Sequence, residues 1–500
     1  MIVTSCDARR GRPVPCYNST VMPNPEHLRL LQTGGWDSWR KSNPSTSPDL
    51  VGADLSGLDL SGKNLRQAHL SNATLINTDF TAADLSGAIL TGAKLQNTKF
   101  LKARMEAIQL DYAELPNLDF AGAHLKGGLL RYANLLACNL SACNLSNCNF
   151  DGANMQGANL SVANLEQASF RGSNLQGANF FDANMKKASL ENANGGGANF
   201  MKAGLTETVL NGAKLQKTRW EGALLKQTVV KGADLTDAIF IQAEISNSIF
   251  DYAIATRADF TKTKIRQTFF RSTQMQRVKL ANAEFESCPF TGAILEEVDF
   301  RFVRLKDCSF ESADLRGTLF FKQTLEGFVF EGANLTGADF RETASVKSNY
   351  RKADLSGTRF RKAHFKECDF SGAKAQGTDF GGCILSFCNF LKADLSRADL
   401  RFAVLIGSNL RSASFKYADL TCADLRETTI ASANFWGAKI KKTQIEGSTR
   451  FAILPFTLLG KLFFPLQKGI GNRQKEKEKL KHQRAEELLQ TVKSRETRSR

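Results

Sequence analysis

The chain has 500 residues, of which 42% are hydrophobic and 23% charged, so it can bury a core and does not have the composition of a disordered polymer. Its 66 Lys and Arg against 50 Asp and Glu give a modest net charge of +16. No apolar run reaches the ~18 residues of a membrane span, and eleven cysteines are too few for a disulfide scaffold.

Residues 1–21 show no pattern typical of a folded element. Their arginines are not followed by the apolar stretch of ~7–15 residues that a secretory signal contains. We therefore expect residues 1–21 to be a disordered or misassigned leader, with Met22 as the biological start.

A capping helix and linker are predicted for residues 22–47. Asn24 is a residue type favoured at the N-cap of a helix, Pro25 is favoured at the first helical position, and Glu26 places an acidic side chain in the first turn. The same segment supplies four apolar side chains for a face that covers the first repeats: Leu28, Leu31, Trp36 and Trp39.

A period of five residues runs through residues 48–448. Between Leu50 and Ile445 every fifth residue, the centre of a unit, is large and apolar in 76 of 80 cases. The exceptions are Gly195, Ala255, Ser345 and Ala375. A small residue stands two positions before most centres, Asp or Asn often directly precedes the centre, and Gly often stands two positions after it. Since five matches neither a helix nor a simple strand, each unit combines a short extended stretch with a turn.

The unit A-(D/N)-(L/F)-x-G, seen in GADLSG at 52–57 and GANLTGADF at 332–340, resembles the pentapeptide repeat family. The segment NPEHL with its two following tryptophans is similar to the leader of many bacterial members. The resemblance implies an all-β fold, a right-handed quadrilateral β-helix (β-solenoid), with short helical or irregular caps at both ends. Four units would close a square of twenty residues, giving about 20 coils spaced ~4.8 Å apart.

The residue distribution supports a continuous ladder around a filled interior. Eight of the ten prolines lie outside the span from Leu50 to Ile445, leaving Pro116 and Pro289 inside it. Centres at multiples of ten are mostly Phe in the second half, which predicts two facing Phe columns and two facing Leu columns. The run Asn194–Gly197 is predicted to be a local weak point or bulge.

The cysteines are predicted to be reduced packing residues. Eight of the eleven occupy the small inward position of the unit: Cys138, Cys143, Cys148, Cys288, Cys308, Cys368, Cys383 and Cys388. The stretch CNLSACNLSNCNF at 138–150 suggests metal spacing, but successive units point inward from different sides and no His is near. We therefore predict no metal site, and a reducing, cytoplasmic location.

The C-terminal residues are predicted to leave the repeat. Residues 449–472, which include FAILPFTLLGKLFFPL at 451–466, are interpreted as an apolar C-terminal cap. A homodimer interface and a weak membrane-surface contact through 451–500 are the alternatives. Residues 473–500 are predicted to form a charged helical or disordered tail.

No catalytic constellation and no cofactor motif is found, and the five histidines are scattered, so an enzyme is not expected. The leading hypothesis is a non-enzymatic, rod-like scaffold for an unknown protein partner. Residues twenty apart should stack, and one such outward column gathers aromatic and arginine side chains, as binding surfaces often do. The candidate partner-binding patch is Arg301, Phe302, Phe321, Arg341, Arg361 and Arg401, with Phe302 expected near Phe321; the alternative is an ordinary solvated face.

Two other functions are weighed. Some family members act on DNA topoisomerases by imitating duplex DNA with an acidic rod, but residues 48–450 contain 48 Lys and Arg and 42 Asp and Glu, a net charge of +6. The loops that such members use are also missing, because nothing interrupts the repeats. Association with nucleic acid or a membrane surface through the basic C-terminal tail is the other alternative, and nucleic-acid binding along the rod is disfavoured by the small positive excess.

Overall fold

The computed structural model describes residues 4–6, 13–15 and 22–448. The chain divides into two units, Met1–Ala452 and Ile453–Arg500, and all described residues belong to the first. The interpretations of 449–472 and 473–500 therefore lie outside the described residues. Within the predicted leader, β1 (Thr4–Cys6) pairs antiparallel with β2 (Pro13–Pro15), a pairing that the sequence analysis did not predict.

Two short helices precede the repeats, α1 (Pro25–Thr33) and α2 (Trp36–Ser42). The side chain of Asn24 accepts hydrogen bonds from the backbone N–H groups of Glu26 and His27, as an N-cap residue does. No helix between residues 22 and 448 is long and apolar enough to cross a membrane.

Side chains of α2 take the place of a preceding coil. The Trp36 indole Nε1 donates to the carbonyl oxygen of Asn64 at 2.9 Å, and the Arg40 Nη2 donates to that of Arg66 at 2.9 Å. One coil further on, the equivalent carbonyl groups accept backbone N–H groups from the coil below. The cap thus satisfies polar groups that an open solenoid end would leave without partners.

Parallel bridges join residues twenty apart along most of the repeats. The first such bridges are Asp49–His69, Asp54–Thr74, Asp59–Asp79 and Asn64–Asp84. Four bridges in each twenty residues give every coil four sides. The predicted parallel β-solenoid is confirmed.

One side of the coils forms continuous strands. Their bounds are β3 (Leu224–Lys226), β4 (Glu244–Ser246), β5 (Lys264–Arg266), β6 (Glu284–Glu286), β7 (Arg304–Lys306), β8 (Thr324–Glu326), β9 (Ala344–Val346) and β10 (His364–Lys366). Strands β3 to β7 form one parallel sheet and β8 to β10 form another. The hydrogen-bonded sheet is thus interrupted between β7 and β8.

Hydrogen bonds explain the residue preferences of the five-residue unit. The side chain before the centre points outward and accepts the N–H group of the first turn residue, as in Asp59 Oδ1 with Ser61 N at 2.9 Å. Asp and Asn are suited to this turn contact. The second turn residue has a positive φ, 70° at Gly57 and 60° even at Val162. From residue 52 to residue 447, Phe302 is the one second turn residue without a positive φ.

The aromatic columns form as predicted. Rings twenty residues apart stack, with centroids 4.6 Å apart for Phe300 and Phe320 and 5.4 Å apart for Phe310 and Phe330. The two columns face each other edge to face, as in Phe310 and Phe320 at 6.0 Å. These rings are fully buried, so the interior is filled by side chains.

Ser345, one of the four small centres, forms a buried hydrogen bond. Its Oγ lies 3.1 Å from the hydroxyl oxygen of Tyr350, which replaces Phe in the stacked column. Burial raises the pKa of Tyr350 well above its ordinary value, although the hydrogen bond with Ser345 acts in the opposite direction. The small centre therefore supplies the partner that a buried tyrosine hydroxyl needs.

The predicted bulge at Asn194–Gly197 is wrong. Asn194 bridges Lys214 in regular register, and the Gly195 N–H group donates to the Lys214 carbonyl at 2.7 Å. A Cβ atom on Gly195 would lie 3.0 Å from a Leu215 methyl group. The leucine of the next coil thus occupies the space that a large centre would fill, and the ladder stays closed.

The ladder opens elsewhere, between residues 94–99 and 114–119. No bridge joins Lys94 to Glu114, and the backbone N–H groups of Leu95 and Asn97 have no backbone acceptor. Residues 96–99 and 116–119 line a cleft of about 540 Å³ at this place. The opening lies beside Pro116. Pro116 is a first turn residue, and the N–H group at that position does not donate to the ladder in other units, so the N–H group that proline lacks does not by itself explain the opening.

Amide hydrogen exchange should reveal this opening. We expect the amides of Leu95 and Asn97 to exchange at least about tenfold faster than those of Leu75 and Asn77, because an amide without an acceptor needs no opening event. Leu75 and Asn77 are matched controls one coil earlier, and they donate to Lys94 and Gln96 at 2.9 Å. Equal protection of the two sets, measured by NMR or residue-resolved mass spectrometry, would contradict the opening.

Candidate functional site

The six residues of the predicted patch lie along one corner of the solenoid, here called the Arg–Phe corner. Arg301, Phe321, Arg341, Arg361 and Arg401 are all first turn residues in coils of twenty residues, and Phe302 follows Arg301 in the same turn. The structure therefore places on one corner the residues that the twenty-residue spacing predicted there.

Three of the arginines are held by an aspartate of their own unit. Asp299 accepts the Arg301 backbone N–H group at 3.0 Å through Oδ1 and the Arg301 Nη2 at 2.7 Å through Oδ2. The same geometry recurs in the pairs Asp339–Arg341 and Asp399–Arg401. One carboxylate thus caps the turn and holds the guanidinium in a planar pair.

Arg361 is held differently, by aspartates of later coils. Its Nε donates to Asp379 Oδ2 at 2.9 Å, and its Nη2 lies 3.4 Å from Asp399 Oδ2. Every arginine of the patch therefore has a carboxylate partner. The positive charge of each guanidinium group in this corner is therefore balanced by a nearby carboxylate. A phosphate-binding site, in contrast, needs cationic side chains without such partners.

Asp339 is the most enclosed of these carboxylates, with 5% of its side chain exposed. Burial raises its pKa, but hydrogen bonds from the Arg341 side chain and backbone, with the charges of Arg359 and Arg341, outweigh burial. The pKa of Asp339 is therefore below its ordinary value. The ion pairs of this corner persist at neutral pH and weaken only in acid.

The turn at Phe302 differs from the other turns because of Gln323. This glutamine stands at a position that is small in most other units, and its Nε2 donates to the carbonyl oxygens of Phe300, Arg301 at 3.2 Å and Val303 at 3.1 Å. The Gln323 amide thus occupies the Val303 carbonyl oxygen, which would otherwise accept a backbone N–H group of the next coil. Strands β7 and β8 accordingly do not pair. Phe302 is left 67% exposed on the irregular turn.

Each phenylalanine of the corner lies beside cations. The Arg301 guanidinium is 5.7 Å from the Phe302 ring, and Phe321 has Lys322 Nζ at 4.9 Å and the Arg341 guanidinium at 5.6 Å. Among the ring contacts of the described residues, none joins Phe302 to Phe321. The expected proximity of these two rings stays a prediction, and each ring instead has a cation as its described neighbour.

The sequence analysis did not include the residues that organise this corner. They are Asp299, Asp339, Asp379, Asp399 and Gln323. Two signals were present in the sequence. The spacing Asp-x-Arg recurs at Asp299, Asp339 and Asp399. Gln323 stands at a position where most units have a small residue.

The cysteine-rich stretch has the chemistry of packing residues. The thiols of Cys138, Cys143 and Cys148 each donate to a backbone carbonyl of the preceding coil, and burial raises their pKa to about 12. A thiol with so high a pKa is a poor metal ligand and nucleophile. Over the described part of the chain, no three His, Cys, Asp or Glu residues cluster as metal ligands.

Two family descriptions match the chain. One, for a pentapeptide repeat region, matches residues 129–200 and 303–380. The other, for pentapeptide repeats (8 copies), matches residues 49–87, 88–127, 203–240, 253–292, 283–320, 385–416, 393–430 and 408–447. Together they span most of the chain. The chain belongs to the pentapeptide repeat family. Pentapeptide repeat proteins are generally non-catalytic structural or interaction proteins.

Solved structures of pentapeptide repeat proteins are similar to parts of this chain. A trypsin-treated variant of QnrB1, a plasmid-mediated fluoroquinolone resistance protein, is 20% identical over 44% of this chain and 96% of its own, with a TM-score of 0.27. HetL, which is involved in heterocyst differentiation regulation in the cyanobacterium Nostoc sp. strain PCC 7120, is 23% identical over 52% and 88%, with a TM-score of 0.17. No curated protein matches the chain.

Proposed function

We propose that this pentapeptide repeat protein is a non-enzymatic scaffold that binds a protein partner through the Arg–Phe corner. The observation that carries the proposal is Phe302, whose ring is 67% exposed on the single irregular turn of the repeats. An exposed phenylalanine among arginines has the composition of an interface centre. Gln323 donates hydrogen bonds to three carbonyl groups of this turn, and a turn ordered before binding loses less entropy when a partner binds.

Charge argues against the DNA-mimic alternative. Such a mimic needs a strongly negative surface, whereas residues 48–450 carry a net charge of +6. Direct binding of nucleic acid gains little support from the corner, because its arginines already have carboxylate partners. The proposal includes a reducing, cytoplasmic location, which is supported by eight buried free thiols.

A pull-down with the Phe302→Ala variant tests the proposal. We expect tagged wild-type protein to capture a specific partner from the native lysate and Phe302→Ala to lose at least about 90% of it, as interface aromatics often dominate affinity. Phe302 is the better target because replacing Arg341 would also remove the nearer of the two arginine partners of the buried Asp339 carboxylate.

Phe387→Ala is the matched control. Phe387 is also a second turn residue and is 59% exposed, but it lies on a different corner. Partner capture should be unchanged by Phe387→Ala. If Phe302→Ala retains every partner that the wild type binds, the Arg–Phe corner is not the binding site.

A further inference from the structure

A second surface is formed by five apolar residues that stack on one flat side of the solenoid. They are Val209, Val229, Ile249, Phe269 and Pro289, here called the apolar strip. Each stands at the outward position before a centre, where many other units have Asp or Asn. Bridges join the first four in consecutive coils, and the Phe270 N–H group donates to the Pro289 carbonyl at 3.0 Å.

The apolar side chains of the strip face outward. Phe269 is 40% exposed, and the other four residues are half-buried between turns. Four coil spacings of ~4.8 Å make the strip ~19 Å long. Apolar residues at these positions add no buried core, so packing of the interior does not account for them.

The coils compensate for the missing Asp and Asn side chains. With Val229 at the outward position, the Lys231 N–H group instead donates to Asn211 Oδ1 of the preceding coil at 3.2 Å. With Phe269 there, the Arg271 N–H group donates to Asp251 Oδ1 at 3.0 Å. Two of the turns beside the strip are therefore capped by a side chain of the preceding coil, and the strip itself has no polar side chain.

Both corners that flank the strip are mainly basic. Between residues 226 and 271 they carry Lys226, Lys231, Arg266 and Arg271 against the single carboxylate of Asp251. The Arg271 guanidinium pairs with Asp251 and lies 4.9 Å from the Phe269 ring. The rims thus form a positive border around an apolar centre.

The acids beside the strip reduce this positive border without cancelling it, because Lys226 and Lys231 have no carboxylate partner among the described residues. Glu207 pairs with Lys187, and Glu286 pairs with both Arg266 and Lys306. A second copy of this chain would bring basic rims against basic rims. Charge complementarity instead favours an occupant with an apolar face and acidic flanks.

We propose that the apolar strip binds an acidic amphipathic α-helix of a partner protein. A helix lying along the strip repeats its apolar face every ~5.4 Å, close to the coil spacing of ~4.8 Å, and ~13 helical residues span the strip. Its acidic flanks would meet Lys226 on one rim and Lys231 on the other, the rim cations that have no carboxylate partner among the described residues. This surface lies on the opposite side of the coils from the aspartates of the Arg–Phe corner, ten residues away around the coil, and is independent of that proposal.

Two synthetic helical peptides test the proposal by fluorescence anisotropy with the full chain. Both have a leucine face, and one has Glu and the other Lys at the flanking positions. We expect the acidic peptide to bind at least about tenfold more tightly than the basic one, and Ile249→Asp to weaken its binding at least about tenfold.

Ile254→Asp is the matched control, because Ile254 is half-buried at the same outward position on the neighbouring side. Its affinity for the acidic peptide should equal that of the wild type, and circular dichroism should show both variants folded. Equal binding of the two peptides, or full binding by Ile249→Asp, would overturn the proposal. So would a wild-type dimer that Ile249→Asp converts to a monomer, since the strip would then bind a second copy.

Discussion

Replacing Phe330 with alanine is expected to lower the free energy of unfolding by about 3–5 kcal/mol. The Phe330 ring stacks between Phe310 at 5.4 Å and Tyr350 at 4.9 Å, and meets Phe320 and Phe340 edge to face at 6.0 and 5.9 Å. Removing it opens a cavity that the coils above and below cannot close without breaking the ladder. Urea unfolding followed by circular dichroism measures the loss.

Two variants calibrate this prediction. Phe330→Leu keeps most of the volume and should cost less than about 1.5 kcal/mol. Phe302→Ala removes an exposed ring and should change stability by less than about 0.5 kcal/mol. If Phe330→Ala is as stable as Phe302→Ala, the aromatic columns do not stabilise the solenoid and this account of its interior is wrong.

Replacing Arg40 with alanine is expected to cost about 3 kcal/mol or more, the second largest effect. Arg40 is only 4% exposed, and its guanidinium donates to the carbonyl oxygens of Asn43, Thr46 and Arg66 and to the Asn64 Oδ1. Without it these half-buried contacts lose their charged donor, and the carbonyl oxygens of Thr46 and Arg66 lose the guanidinium N–H groups that they accept. Chemical denaturation should show a less stable first coil, and size-exclusion chromatography should show association through the uncovered ladder edge.

Arg29→Ala is the control within the same cap. Arg29 pairs with Glu26 at 2.8 Å, but 60% of its side chain is exposed, so its loss should cost less than about 0.5 kcal/mol. Equal effects of Arg29→Ala and Arg40→Ala would show that α2 does not close the solenoid end.

The five-residue period alone determined which side chains enter the interior. A centre such as Leu335 and the small residue before it, Ala333, have no alternative orientation once the chain turns after every unit. Asp or Asn before the centre and Gly after it follow from the hydrogen bond and positive φ of each turn. The cap was predictable for the same reason, since the N-cap signal at Asn24 is local.

The side-chain pairs between coils could be identified only from the tertiary structure, because each side chain lies within reach of several possible partners. Asp299 pairs with Arg301 of its own turn, whereas Arg361 reaches Asp379 and Asp399 in later coils. Gln323 replaces a backbone donor beside the irregular turn of Phe302, and Leu215 fills the space beside Gly195. The sequence thus defined the orientation of each residue, and competition between neighbouring coils defined the surfaces with which this protein is proposed to bind others.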